Sequence, residues 1–185
     1  MHDCPFCRTP YPNNDVEEMA MIQARVDKKD PEAINLLAQA HCHGLYGKLK
    51  DVRKAVELWE EAAELGSNDA LYNLGSAYYI GEGVQVDEGK GGEFYKMAAM
   101  RGCAVSRYNL GAFECMKRNH ANAYRHWLIS AKMGYRNSFS SINIMLFEGK
   151  VTKGQHAEAL KGYQDAIEEM KSHDRDEAKA KRRCD

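Results

Sequence analysis

Large aromatic residues return in step along this chain. Trp59, Tyr95, Trp127 and Tyr163 lie 36, 32 and 36 residues apart. Other markers keep the same register. Gly66, Gly102 and Gly134 follow the first three aromatics, and Ala62-Ala63 returns as Ala98-Ala99 and as Ser130-Ala131. Tyr72-Asn73-Leu74-Gly75 returns as Tyr108-Asn109-Leu110-Gly111, and Gly44, Gly81 and Gly149 stand at matching places. Self-similarity at a period of roughly 20–50 residues is the signature of a repeat array. One unit of this size cannot bury its apolar face alone, so stability comes from neighbours stacked in series.

The units read as helices. Pro5, Pro10, Pro12 and Pro31 are the only prolines, which leaves long tracts without a helix breaker. Apolar residues at helical spacing predict helices over 15–29, 31–42, 51–65, 69–80, 87–101, 104–117, 120–133, 137–148 and about 155–172. Asp15, Asp30 and Asp87 are the expected N-caps, with Pro31 at a first helical position. No stretch alternates apolar and polar residues in the manner of a strand. Ala70, Gly75, Ala77, Ala98 and Ala99 let helix backbones approach, and the recurring aromatic fills the space between them. Gly89, Gly91 and Gly92 crowd one helix start. Each costs about 1 kcal/mol relative to alanine, so that helix is expected to begin late or fray.

One copy carries a fuller motif: Ala70, Leu74, Gly75, Tyr78, Gly81, Gly83, Val84, Asp87, Lys90, Tyr95, Ala98, Ala99 and Gly102. This pattern resembles the Sel-one-like repeat family, a branch of the tetratricopeptide-like α/α solenoids. The resemblance covers about 15–172, as a half repeat plus about four helix pairs, with 1–14 and a charged 173–185 outside it. It implies an all-α fold: antiparallel helix pairs stacked in a right-handed superhelix, with a concave surface made by the first helix of each pair. Three departures stand out. Gly91 takes the usual alanine place, the loop between Met116 and Ala121 lacks G-x-G-V, and Ile22 holds the aromatic place of the half repeat.

The same resemblance implies a non-catalytic scaffold or adaptor that binds a protein or peptide partner on its concave face. Tyr72, Asn73, Tyr79, Arg107, Tyr108 and Asn109 are the candidate contacts, because tyrosine and asparagine suit recognition of extended peptides. A structural use is equally open. Asn73 and Asn109 can hydrogen-bond the neighbouring repeat, and Tyr72 and Tyr108 can pack between repeats.

Charge and composition narrow the partner. The net charge is −1, so no global field recruits nucleic acid or an anionic membrane. No apolar run approaches the roughly 20 residues a transmembrane helix needs. Residues 1–8 hold no apolar signal core, which makes cytoplasm the expected compartment, with the nucleus as alternative. Scattered cysteines there are expected to stay reduced.

Cys4-Pro5-Phe6-Cys7-Arg8 resembles the last ligand pair of a RING finger. A metal site needs four ligands in tetrahedral order, and this segment supplies Cys4, Cys7 and at most His2. It is read as a remnant, so no cofactor is expected. Zinc at Cys4 and Cys7 would enter only in a longer, RING-containing form. In such a form the resemblance implies a RING-type E3 ubiquitin ligase with the solenoid as its substrate-binding part.

Other groups carry less chemistry. Side chains at His41, Cys42 and His43 point about 100° apart on a helix and do not converge on one ion. Cys103 and Cys115 match no nucleophile motif. Gly89-Lys90-Gly91-Gly92 follows no strand and does not make a phosphate loop. Lys179–Arg183 reads as a solvated helix end, with a nuclear import signal as the alternative.

Overall fold

A computed structural model describes residues 14–171. The C-x-x-C segment with Cys4 and Cys7, and the charged tail with Lys179–Arg183, lie outside the described residues. Among the described residues there are nine helices and no strand. The chain divides into two compact units, with the boundary between Ala98 and Ala99.

In the first unit, α1 (Asp15–Val26) starts from Asn14, whose side chain accepts the N–H groups of Val16 and Glu17. The expected cap, Asp15, is instead the first helical residue. Its carboxylate, with Glu17 and Glu18, faces the positive end of the helix dipole. The helix also stops before 29, because Lys29 turns left-handed (φ +60°) and Asp30 N–H returns to the Arg25 carbonyl. Asp30 then caps α2 (Pro31–His43), and Asp51 caps α3 (Val52–Glu64). Ser67 caps α4 (Asn68–Ile80), which ends at Gly81 in the left-handed conformation that glycine adopts most cheaply.

The next helix, α5 (Glu88–Met100), begins at Glu88. The late start expected from its glycines does not occur. Asp87 accepts the Lys90 N–H at 2.9 Å, and the Asp87 N–H donates to the Tyr78 carbonyl at 2.9 Å, which anchors the first turn. Gly91 has a packing role. It is buried, and a Cβ there would lie 3.0 Å from the Gly75 carbonyl oxygen and 3.2 Å from the Tyr79 nitrogen. The corresponding residues of other repeats, Ala55, Ala123 and Ala159, are fully buried alanines. At this crossing a methyl group fits only if the α4 backbone yields by a few tenths of an ångström.

The core of the first unit joins Ile22, Ile34, Leu37, Val56, Trp59 and Leu74. Helix α1 packs on α2, α2 on α3, and α3 on α4. Ile22, 5% exposed, is the residue that α1 buries in this core.

The second unit holds α6 (Ala104–Met116), α7 (His120–Lys132), α8 (Arg136–Phe147) and α9 (Lys153–Glu169). Cys103 caps α6 through its sulfur, which accepts from the Ser106 N–H and hydroxyl. The turn without G-x-G-V closes through Arg118 (φ +60°) and an Asn119 N–H bond to the Glu114 carbonyl at 2.8 Å. Thr152 and Gln155 form a reciprocal capping box at α9. The core joins Tyr124, Trp127, Ile142, Met145 and Ala159, with Tyr163 stacked on Phe139 at 5.3 Å.

Candidate functional site

In the first unit a groove of about 320 Å³ opens along the first helices of two successive pairs, α2 and α4. That volume is at the lower end of the range for ligand pockets. Helix periodicity explains its walls. Gln39 and His43 lie one turn apart on α2, and Tyr72 and Ser76 one turn apart on α4. Trp59 of α3 and Glu82 of the glycine loop complete it.

Two of the expected contacts line this groove, Tyr72 and Asn73. Both also have structural work. Asn73 donates from Nδ2 to Asn35 Oδ1 at 3.0 Å, and Asn35 is only 2% exposed. The amide pair ties α4 to α2 and satisfies a buried polar group. The Tyr72 ring tilts against Tyr95 with centroids 6.0 Å apart. Tyr79 is not part of the groove lining; its backbone faces Gly91 of α5.

The other three expected contacts belong to the second unit and are half-buried. Arg107 donates to the Ala99 carbonyl at 2.9 Å. Tyr108 packs between Trp127 and Tyr135, with centroids 6.3 and 5.4 Å away. Its carbonyl accepts the Trp127 indole N–H at 3.0 Å. Asn109 follows on the same helix. Burial, reinforced by the positive charge of Arg107, holds the His126 imidazole below its usual pKa, and Glu114 opposes the shift.

Sequence reasoning missed Gln39, Ser76 and Glu82. Nothing in their spacing marks them, since they meet only when α2, α4 and the loop lie side by side. The Cys42 and His43 side chains line the groove without making a metal site. Among the described residues no group of three or more His, Cys, Asp or Glu could hold an ion. The Cys42 thiol is pushed up in pKa, first by burial and then by the Glu82 carboxylate, while Lys50 pulls the other way. It is therefore a protonated packing group and a poor nucleophile near neutral pH. Glu82 itself pairs with Lys50 at 3.5 Å on the surface.

The two matching tryptophans differ in one respect. Trp127 donates its indole N–H to Tyr108, whereas the buried Trp59 indole N–H has no hydrogen-bond partner. An unmet buried donor is costly, so this one sits at the edge of the groove as an exception.

Successive helix pairs, each built on a small residue under an aromatic ring, define a helical-repeat protein of the α/α solenoid class. Residues 31–67, 68–103 and 104–135 each match the Sel1 repeat model, and the chain belongs to that family. These segments are α2 with α3, α4 with α5, and α6 with α7. Over 73 residues, 38% of this chain, it is 36% identical to the ERAD-associated E3 ubiquitin-protein ligase component HRD3B of Arabidopsis thaliana. Over 69 residues, 37% of this chain, it is 38% identical to chitin synthase regulatory factor 3 of Schizosaccharomyces pombe. The matched segments span 12% and 7% of those proteins. A solved Sel1 repeat protein from Oxalobacter formigenes superposes with a TM-score of 0.70 at 24% identity, covering 82% of this chain and 64% of that one. Among the described residues no helix is long and apolar enough to cross a membrane.

Proposed function

We propose that this chain is a non-catalytic adaptor that binds a protein or peptide partner on the face made by its first helices. The observation that carries the reading is the groove along α2 and α4, with Tyr72 and Asn73 in its wall. Amide and hydroxyl groups over aromatic rings suit an extended chain, whose backbone offers donors and acceptors at every residue. Likeness to a ligase component and to a synthase regulatory factor supports an accessory role. Arg107, Tyr108 and Asn109 are the corresponding candidates of the second unit. The proposal includes no cofactor, no nucleic acid and a cytoplasmic or nuclear setting.

Proximity labelling with the full chain tests it, run beside Ser76→Trp and Gln39→Arg, which fill the groove from half-buried positions. Proteins enriched by the wild-type chain and lost with both folded variants support the reading. Enrichment of no protein, or retention of every one by both variants, overturns it.

A second reading makes the chain the substrate-binding part of a RING-type E3 ubiquitin ligase. It is favoured by the likeness to the Arabidopsis ligase component and by the Cys4-Pro5-Phe6-Cys7 segment. The test uses a longer form that carries a complete finger: two equivalents of zinc per chain, with ubiquitin transfer in a reconstituted assay, support the reading, and absence of both in that form removes it.

A further inference from the structure

We propose that the α2/α4 groove holds the guanidinium group of an arginine presented by a partner chain. The inference rests on the adaptor reading and names what that groove would select.

Three features point to this cation. Of the lining residues only Glu82 carries a carboxylate, and the exposed His43 is the only basic one. The Glu82 field reaches inward, since it acts on the buried Cys42 thiol. Two aromatic side chains, Trp59 and Tyr72, form part of the wall. Trp59 is only 5% exposed, so the half-buried Tyr72 ring is the one open to stacking, and a planar, weakly hydrated guanidinium stacked there keeps its edge donors for hydrogen bonds. Gln39, Asn73 and Ser76 supply oxygen acceptors beside the rings. Five N–H donors fit a site of one carboxylate and several neutral oxygens better than the three donors of an ammonium group do.

Charge selects against the alternatives. A carboxylate side chain would meet Glu82, with only the exposed His43 imidazole in the lining to offset the repulsion. An aliphatic side chain would leave the amide and hydroxyl groups without partners, which disfavours it. Lys50 is the resident competitor. It lies 3.5 Å from Glu82, and its side chain is 61% exposed, so the pair is a weak surface contact that an incoming cation can displace.

The test uses the full chain and small probes. Nα-acetyl-arginine methylamide is titrated while the indole N–H resonances of Trp59 and Trp127 and the Gln39 and Asn73 amide resonances are followed by NMR. Saturable shifts at Trp59, Gln39 and Asn73, with Trp127 unmoved, are expected. Glu82→Gln is expected to weaken binding about tenfold. Lys50→Ala is expected to strengthen it by about two- to threefold, by freeing the carboxylate. Both positions are exposed, and circular dichroism checks that the helices persist. The proposal is overturned if the arginine probe gives no saturable shift. It is also overturned if the norleucine or glutamate analogue binds as well, or if Glu82→Gln changes nothing. If the arginine probe fails while Ser76→Trp still abolishes partner capture, the adaptor reading stands and the arginine anchor falls.

Discussion

Gly75 lies directly under the ring of Tyr95, and a Cβ at Gly75 would sit 2.6 Å from Tyr95 Cδ1. Tyr95 is only 7% exposed and cannot swing away into solvent. Gly111 and Trp127 repeat the relationship in the second unit. The glycine is thus half of a two-residue lock whose other half is the aromatic of the following helix.

Gly75→Ala should destabilise the protein although alanine is the better helix former. The propensity gain is about 1 kcal/mol, and overpacking against a fixed ring costs about 1–3 kcal/mol. Gly91→Ala should also destabilise, because the new methyl meets backbone atoms of α4. Gly89→Ala should do the opposite. It is exposed, and its nearest neighbour is the Asp87 side chain at 3.3 Å. Urea midpoints for the three variants read the signs directly.

Trp59→Ala should cost roughly 3–5 kcal/mol through lost burial and the cavity left behind. Trp59→Phe and Trp127→Phe separate packing from hydrogen bonding. Only Trp127 has an indole bond to lose, so its replacement should cost about 0.5–1.5 kcal/mol more, the net worth of one hydrogen bond to a carbonyl that stays within the α6 helix. Equal costs in chemical denaturation would show that the Trp127 bond contributes nothing net.

His126 should make stability fall as pH drops. Its folded-state pKa is held below the ordinary 6.5 by burial and by Arg107. The unfolded chain therefore binds the proton first. The contribution is complete above the unfolded pKa and is lost as pH falls from there through the folded pKa. His126→Gln should flatten that part of the stability curve between pH 7.5 and 5, measured by urea denaturation.

Tyr124 should set the alkaline limit. Burial first, then the neighbouring Glu158 carboxylate, pushes its phenol up to about 12. Between the unfolded value near 10 and that figure the unfolded chain loses its proton first, so stability falls as pH rises. Ultraviolet titration should show Tyr124 among the late-ionising tyrosines, and Glu158→Gln should bring it earlier.

The array was legible because its markers answer to local rules. Gly66, Gly81 and Gly102 take left-handed backbone, Asp30 caps a helix, and Trp59, Tyr95 and Trp127 are buried at the matching place of three successive repeats. The errors were also local. Asn14 took the cap expected of Asp15, since either side chain can accept those N–H groups. Propensity counted Gly91 as a weakness, whereas tertiary packing against Gly75 and Tyr79 leaves little room for a side chain there. The groove was half legible. Tyr72 and Asn73 could be picked from a repeated motif, but Glu82 and Gln39 belong to the site only through side-by-side placement of α2, α4 and the loop.

The lock between Gly75 and Tyr95 bears on how such a protein could be rebuilt from modules. The first pair places Ala38 where the next two place glycine, and Ala38 shares a core with Trp59. The three pairs are therefore not interchangeable at the level of single helices. A chimera that joined the Tyr95 helix to the Ala38 helix would put a methyl group where a ring belongs. The smallest cassette that can be moved intact is the helix pair, cut in the polar turns on either side.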